Sequence, residues 1–280
     1  MTAMKHKRPR RPAGGNLGIP GGLEAVFGVH AVRALLDRGE SPRELWVQEG
    51  SAGGRLAELV EAAAGRGARI QTRSRDDLDR LAQGAAHQGV VAFAAPLAFE
   101  SEASLWFKLE AWPLEAPPLL LVLDGVTDVH NFGACLRSAD AAGVHGVIVP
   151  KDKSAPLNAT VRKVACGAAE SVPVYQVTNL ARALARLKEF GVWITGTAGE
   201  AEALVYEADL HGPTALVMGA EGKGMRRLTR EACDLLVKLP MAGSVSSLNV
   251  SVATGICLFE VVRQRGPASP GAGRAPTSRA

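Results

Sequence analysis

LLLVLDGVTDVHNFGACLRSADAAG, from Leu119 to Gly143, decides the fold. Its first six residues are a continuous apolar run ending at an acid, Asp124, the pattern of a strand buried on both faces. A helical pattern runs from Asn131 to Ala142, and Gly143 stands where a helix end favours glycine. The same strand–helix unit then recurs. Strands are expected at Gly146–Val149, Val172–Val177, Val192–Thr197, Thr214–Met218 and Leu235–Leu239. Helices are expected at Ala159–Ala168, Leu180–Phe190 and Thr229–Cys233. Residues 118–265 therefore read as an α/β domain with a mostly parallel sheet, whose ligands bind beyond the carboxyl ends of the strands.

Upstream, residues 22–98 read as a smaller α/β module. Helices at Val29–Leu36, Arg55–Ala64 and Arg75–Leu81 alternate with strands at Glu44–Gln48, Ala68–Thr72 and Gly89–Ala95, predicting a three-layer sandwich. Gly28-Val29-His30 opens the first helix, where backbone amides could meet a phosphate. His30 and His87 are isolated and fit capping or packing. Residues 99–117 lack steady periodicity, end in prolines and read as a linker. Trp106, Phe107 and Trp112 imply that this linker packs onto a neighbour.

Length and composition, 280 residues with 47% hydrophobic and 21% charged, suit two globular domains without a membrane span or secretion signal. The expected compartment is therefore the cytoplasm. Net charge is +4, yet the body carries −3, because Pro/Gly-rich tails at 1–21 and 266–280 hold +7. Such tails cannot bury a core and are expected to be disordered, solubilising arms or arms drawn to a polyanion such as nucleic acid. Cys135, Cys166, Cys233 and Cys257 lack C-x-x-C spacing and read as reduced core residues; no metal site is expected.

Three strand ends carry candidate chemistry. At the first, Asn131 suits a helix N-cap, and Arg137 should lie over the bare backbone of Gly133, beside the anion-attracting end of the helix. An exposed arginine on an amphipathic helix fits the same pattern. The second, MGAEGKGM (Met218–Met225), can turn tightly and approach a ligand through its glycines. It lacks the spacing of a phosphate-binding P-loop, and turn chemistry does not explain Glu221. The third is LPMAGSVSSLNVSVATGICLFEVVR (Leu239–Arg263), uncharged through Phe259 but rich in hydroxyls. Pro240 and those hydroxyls argue for a loop and a buried helix started by Ser246, Ser247 or Asn249, against a bilayer span. On that helix Ser247, Ser251 and Thr254 share one stripe, while Leu248, Val252, Ile256 and Phe259 share another. Ordinary core packing and a ligand or subunit contact both fit.

Asn131-Phe132-Gly133 with Arg137, Gly219-Ala220-Glu221-Gly222, and Ser247-Leu248-Asn249-Val250-Ser251 together resemble the three signature motifs of SpoU-type RNA 2′-O-ribose methyltransferases, within the SPOUT superfamily. The resemblance covers 118–265. The stretch VPKDKSAPLNATVRKVACGAAESVP from Val149 is similar to the members acting on a guanosine ribose of 23S rRNA. The resemblance implies S-adenosylmethionine as methyl donor, a deep C-terminal trefoil knot, a homodimer with sites at its interface, and an L30e/L7Ae-like RNA-binding fold for residues 22–98. Thr197, Gly219, Leu239, Met241 and Leu248 are then expected around the donor. Arg137 matches the family's catalytic arginine, and Asn131, Glu221, Ser247 and Asn249 are expected to fix the geometry around it. A guanidinium with a pKa of about 12 or more is a poor base, so Arg137 is expected to grip the target phosphate and bond the hydroxyl. Two rivals are a tRNA ribose methyltransferase and a non-catalytic RNA-binding assembly factor.

Overall fold

The computed structural model describes residues 19–51, 53–113 and 116–266, so the charged residues of both tails lie outside the described residues. In the N-terminal part, β1 (Glu24–Phe27), α1 (Val29–Asp37), β2 (Glu44–Gln48), α2 (Arg55–Gly65), β3 (Arg69–Arg73), α3 (Arg75–Ala82) and β4 (Val90–Ala94) follow in order. Their four-stranded sheet has the order β1-β4-β2-β3; β2 and β3 are parallel, and β4 runs antiparallel to both β1 and β2. Alternate residues go to opposite faces of a strand. Val26, Leu45, Val47, Val90 and Ala92 accordingly pack under α1 and α2. Ala25, Trp46, Val91 and Phe93 face Leu78 of α3. Strand β1 escaped the sequence because four residues flanked by Gly and Leu carry too little period to read.

Residues 99–117 do more than link. They form β5 (Glu100–Ser101) and α4 (Glu102–Glu110), and β5 becomes an edge strand of the larger sheet, parallel to the later strand at Val174–Val177. Trp106 is buried and stacks on Phe190 at 6.2 Å, and Trp112 meets the His145 ring edge-on at 4.6 Å. Phe107 differs from the expectation: it is 75% exposed, on the solvent side of α4.

The second part continues with β6 (Leu119–Asp124), α5 (Val129–Ala141), β7 (Gly146–Pro150), α6 (Ala159–Ala165), α7 (Ala168–Ser171), β8 (Val174–Val177), α8 (Leu180–Glu189), β9 (Trp193–Thr197) and β10 (Ala203–Leu204). It ends with β11 (Thr214–Gly219), α9 (Arg227–Glu231), β12 (Leu235–Lys238) and α10 (Val250–Arg265). All pairings in its eight-stranded sheet, order β10-β12-β9-β11-β6-β7-β8-β5, are parallel. Leu119, Leu121 and Leu123 of β6 face α5, α6 and α10, whereas Leu120 and Val122 face α4 and α8. Both faces are covered, which is why this run had no polar alternation.

Several boundaries moved for physical reasons. Helix α5 starts at Val129 because Asp128, and not Asn131, is its N-cap; the Asp128 carboxylate accepts from the Asn131 amide at 2.8 Å. The expected helix 159–168 breaks at Cys166 and Gly167, which adopt φ 53° and 100°. Thr254 belongs to the core, donating to the Val250 carbonyl at 2.7 Å, so the expected hydroxyl stripe is not a free face. Burial pushes the thiols of Cys135 and Cys257 up to about 11 and about 12; Cys166 corrects the expectation that all four are core residues, since it is exposed. No helix among the described residues is long and apolar enough to cross a membrane. No group of three or more His, Cys, Asp or Glu among them is placed to hold a metal ion.

Candidate active site

At the carboxyl end of the parallel sheet, the loops after β9, β11 and β12 enclose a cavity of about 820 Å³. Thr197, Gly219, Leu239, Met241 and Leu248 all line it, as do Glu221, Ser247 and Asn249. Thr197 spends its hydroxyl on the sheet, donating to the Val217 carbonyl at 3.2 Å. Met218, Leu239, Met241, Leu248 and Val250 give the cavity an apolar side.

Beyond β11 the chain folds back in a tight hairpin, with Ala220 and Gly224 exchanging backbone bonds at 3.1 and 2.8 Å. Gly219 permits this, because a Cβ there would stand 2.3 Å from the Gly224 carbonyl carbon and the Met225 nitrogen. Gly222 and Gly224 adopt φ 73° and 65°, the left-handed region that favours glycine. Asp124 anchors the far side of the hairpin. It is 1% exposed and accepts from the Arg226 amide at 2.8 Å and from Arg226 Nε at 2.5 Å. This role was missed; the signal available was an acid closing an otherwise apolar strand.

The hairpin delivers Glu221 to the point where the other two motifs meet. Its Oε1 accepts from Asn131 Nδ2 at 3.1 Å, Asn249 Nδ2 at 2.7 Å and the Val250 amide at 3.2 Å. Asn249 Nδ2 also donates to Asn131 Oδ1 at 2.8 Å, while its Oδ1 caps α10 by accepting from the Ser251 amide at 2.9 Å. Asn131 can join because Asp128 already caps α5 and leaves the Asn131 side chain free. One carboxylate thus ties together residues far apart in sequence and neutralises the donors at the start of α10, a charge-assisted arrangement.

Arg137 is not brought to this cluster. Val164 of α6, and not the arginine, occupies the bare side of Gly133, since a Cβ on Gly133 would come within 2.7 Å of Val164 Cβ. Arg137 is exposed and faces a second cleft of about 1360 Å³ between the two sheets, with Nη1 at 3.6 Å from Cys166 Sγ. Arg33, Arg80, Arg162 and Lys163 line the same cleft beside His30 and His130, and with Arg137 they outnumber its two acids, Asp37 and Asp140, which leaves its walls net basic. The α1 N-terminus is less open than expected, since Gln88 Oε1 accepts from the Val29 amide at 3.0 Å. His87 packs as expected, with Nε2 2.9 Å from Asp79 Oδ1.

Known proteins are similar to this chain in sequence and fold. Residues 118–259 match the SpoU rRNA Methylase family, and residues 25–100 match a family described as RNA 2′-O ribose methyltransferase substrate binding. The 23S rRNA (guanosine-2′-O-)-methyltransferase RlmB of Pseudomonas aeruginosa is 62% identical over 87% of this chain and 98% of its own length. Its namesake in Escherichia coli K12 is 58% identical over 86% of this chain and 99% of its own. Among solved structures, the SpoU methyltransferase AviRb from Streptomyces viridochromogenes in complex with the cofactor AdoMet superposes with a TM-score of 0.69 at 27% identity, covering 87% of this chain and 91% of that one. With the cluster, the parallel sheet and relatives spanning nearly their full length all in agreement, the chain belongs to the SpoU rRNA methylase family.

Proposed function

We propose that this protein transfers a methyl group from S-adenosylmethionine to the ribose 2′-hydroxyl of a guanosine in 23S rRNA. The observation that carries this reading is the Glu221-centred cluster at the mouth of a cavity with a glycine-hairpin wall. That cavity fits the donor: the hairpin that Gly219 permits lines one wall with backbone, and Leu239, Met241 and Leu248 offer an apolar bed for adenine. When bound, S-adenosylmethionine supplies an electrophilic methyl group. Residues 118–265 form the methyltransferase domain, and residues 22–98 bind RNA.

The protein's own residues perform alignment and charge stabilisation. Glu221 holds Asn131 and Asn249 in one orientation, and Ser247 stands at the cavity rim to orient the incoming ribose. Arg137 grips the target phosphate and hydrogen-bonds the 2′-hydroxyl oxygen, offsetting the charge that develops on it. Alignment of this kind lowers barriers by up to about 7–11 kcal/mol when geometry is ideal.

A homodimer completes the site. Arg137 lies outside the donor cavity, and Leu248, just before α10, is 37% exposed, with Val252 and Phe259 on α10 at 51% and 50%. A second copy seated on that face removes the apolar residues from water and brings its own Arg137 to the cavity. The knot belongs to the same reading. Strand β12 lies between β9 and β10, and α10 packs near α5, an arrangement that supports a threaded C-terminal segment.

Removing the Glu221 carboxylate leaves three donors without their shared acceptor. Glu221→Ala should lower turnover about 10- to 100-fold, as loss of charge-assisted bonds worth about 1.5–3 kcal/mol requires. A steady-state assay with a melting curve checks this; unchanged turnover would remove Glu221 from the site. The reading as a whole is tested with tritiated donor on rRNA and tRNA from a strain lacking the enzyme, followed by mapping of the labelled nucleotide. Label at a 23S rRNA guanosine is expected. Label confined to tRNA, or no transfer despite donor binding, would overturn it in favour of a tRNA enzyme or a non-catalytic assembly factor.

A further inference from the structure

Three consecutive residues of α6 hold three different parts of the molecule. Arg162, 3% exposed, donates from Nε to Glu170 Oε1 at 2.6 Å. Its Nη1 reaches Glu24 Oε2 of β1 at 3.0 Å, and Nη1 and Nη2 reach the Ala95 carbonyl at 3.4 and 3.5 Å. Lys163 Nζ donates to the Gln83 carbonyl at 2.8 Å, just past α3. Val164 fills the bare side of Gly133 on α5, one helical turn before Arg137. Beyond the α6–α7 break, a Cβ on Gly167 would stand 3.1 Å from Ala31 Cα of α1. The same short helix therefore grips the N-terminal module at two points and braces the helix that carries Arg137.

Contacts between domains of one chain are mobile by default unless large and apolar. A buried guanidinium is costly unless fully partnered, and this one is partnered across the domain boundary. Such a contact contributes direction more than adhesion, because the planar fork accepts only a narrow range of carboxylate and carbonyl positions.

We propose that Arg162 is a positioning residue for methyl transfer: through Glu24 and the Ala95 carbonyl it sets the angle between the RNA-binding module and α5, so that RNA held by the module is presented to Arg137 across the basic cleft. This rests on the functional reading above. Arg162 is spent on protein partners at the domain contact and acts through the width of the cleft.

The test is Glu24→Arg in the full-length chain. It leaves the Arg162–Glu170 pair and all of α5 intact and sets one guanidinium against another. Small-angle X-ray scattering reads the domain angle, and methylation of 23S rRNA reads its consequence. The expected result is a larger radius of gyration and a KM for rRNA raised about ten-fold. Donor affinity, and kcat at saturating RNA, should change less than about three-fold. Glu24→Gln keeps a hydrogen-bond acceptor and should restore both scattering and KM. Unchanged scattering, or an altered angle with unchanged KM, would overturn the proposal. A parallel loss of donor affinity and kcat would also do so, marking the contact as merely structural. Failure of the wild-type protein to methylate any RNA would sink the functional reading instead, and scattering would still decide whether Glu24 holds the module.

Discussion

Arg137→Ala will lower methyl transfer by about 10³-fold or more and leave donor affinity within about two-fold. The split follows from geometry. The donor cavity is walled by loops after β9, β11 and β12, and Arg137 is not among its residues. Its loss should therefore not disturb the donor. The reacting oxygen, in contrast, loses the cation that holds its neighbouring phosphate and offsets its developing charge. Arg137→Lys keeps the charge but not the planar fork and should retain part of the activity. Single-turnover kinetics with calorimetry of donor binding decide the matter, and near-normal turnover of Arg137→Ala would remove Arg137 from catalysis. Subunit mixing adds a sharper arm. If Arg137 serves the partner's cavity, inactive Arg137→Ala mixed with an inactive cavity variant should regain about one quarter of wild-type activity. Random pairing makes half the dimers mixed, each with one complete site. No recovery would place Arg137 at the cavity of its own chain.

Gly219→Ala will cost about 10²-fold or more in donor affinity. The added Cβ would lie 2.3 Å from backbone atoms of Gly224 and Met225, which no rotamer change can relieve. The Ala220–Gly224 hairpin must open, and Glu221 moves with it, away from Asn131 and Asn249. Overpacking of this kind costs about 1–3 kcal/mol, which lowers Tm by about 2–4 °C per kcal/mol in a protein of this size class. Gly212→Ala is the matched control, since an added Cβ there meets nothing within 4 Å and should change neither quantity. Calorimetry and thermal melting read both variants. Tight donor binding by Gly219→Ala would show that the hairpin is not a wall of the donor site.

Most of the fold was legible because its signals are local. Leu119–Leu123 alternates between two covered faces, so every position had to be apolar. Glycines past helix ends and Asn or Ser before helix starts marked boundaries to within a few residues. Asn249 was among the three residues proposed to start the last helix, and it caps α10. The hairpin after β11 stood out for a different reason: Gly219 and Glu221 stand in a turn whose composition ordinary turn chemistry does not need. Misreadings arose where two residues competed for one role. Asp128 and Asn131 can each cap a helix, and Asp128 holds that role while Asn131 turns to Glu221. Gly133 could have accommodated Arg137 or a neighbouring helix, and Val164 fills it.

By itself the sequence determined the parallel α/β domain, the preceding module, and the three strand ends that are candidates for the chemistry, because periodicity, capping and glycine placement act over a few residues. Only the tertiary structure decided which of those residues meet. Glu221 reaches Asn131 across 90 positions and Arg162 reaches Glu24 across 138, distances over which no local pattern carries information. It also decided that Arg137 faces the cleft between the sheets and not the cavity. The direction of a helical side chain is set by what packs on its helix, and here that is α6.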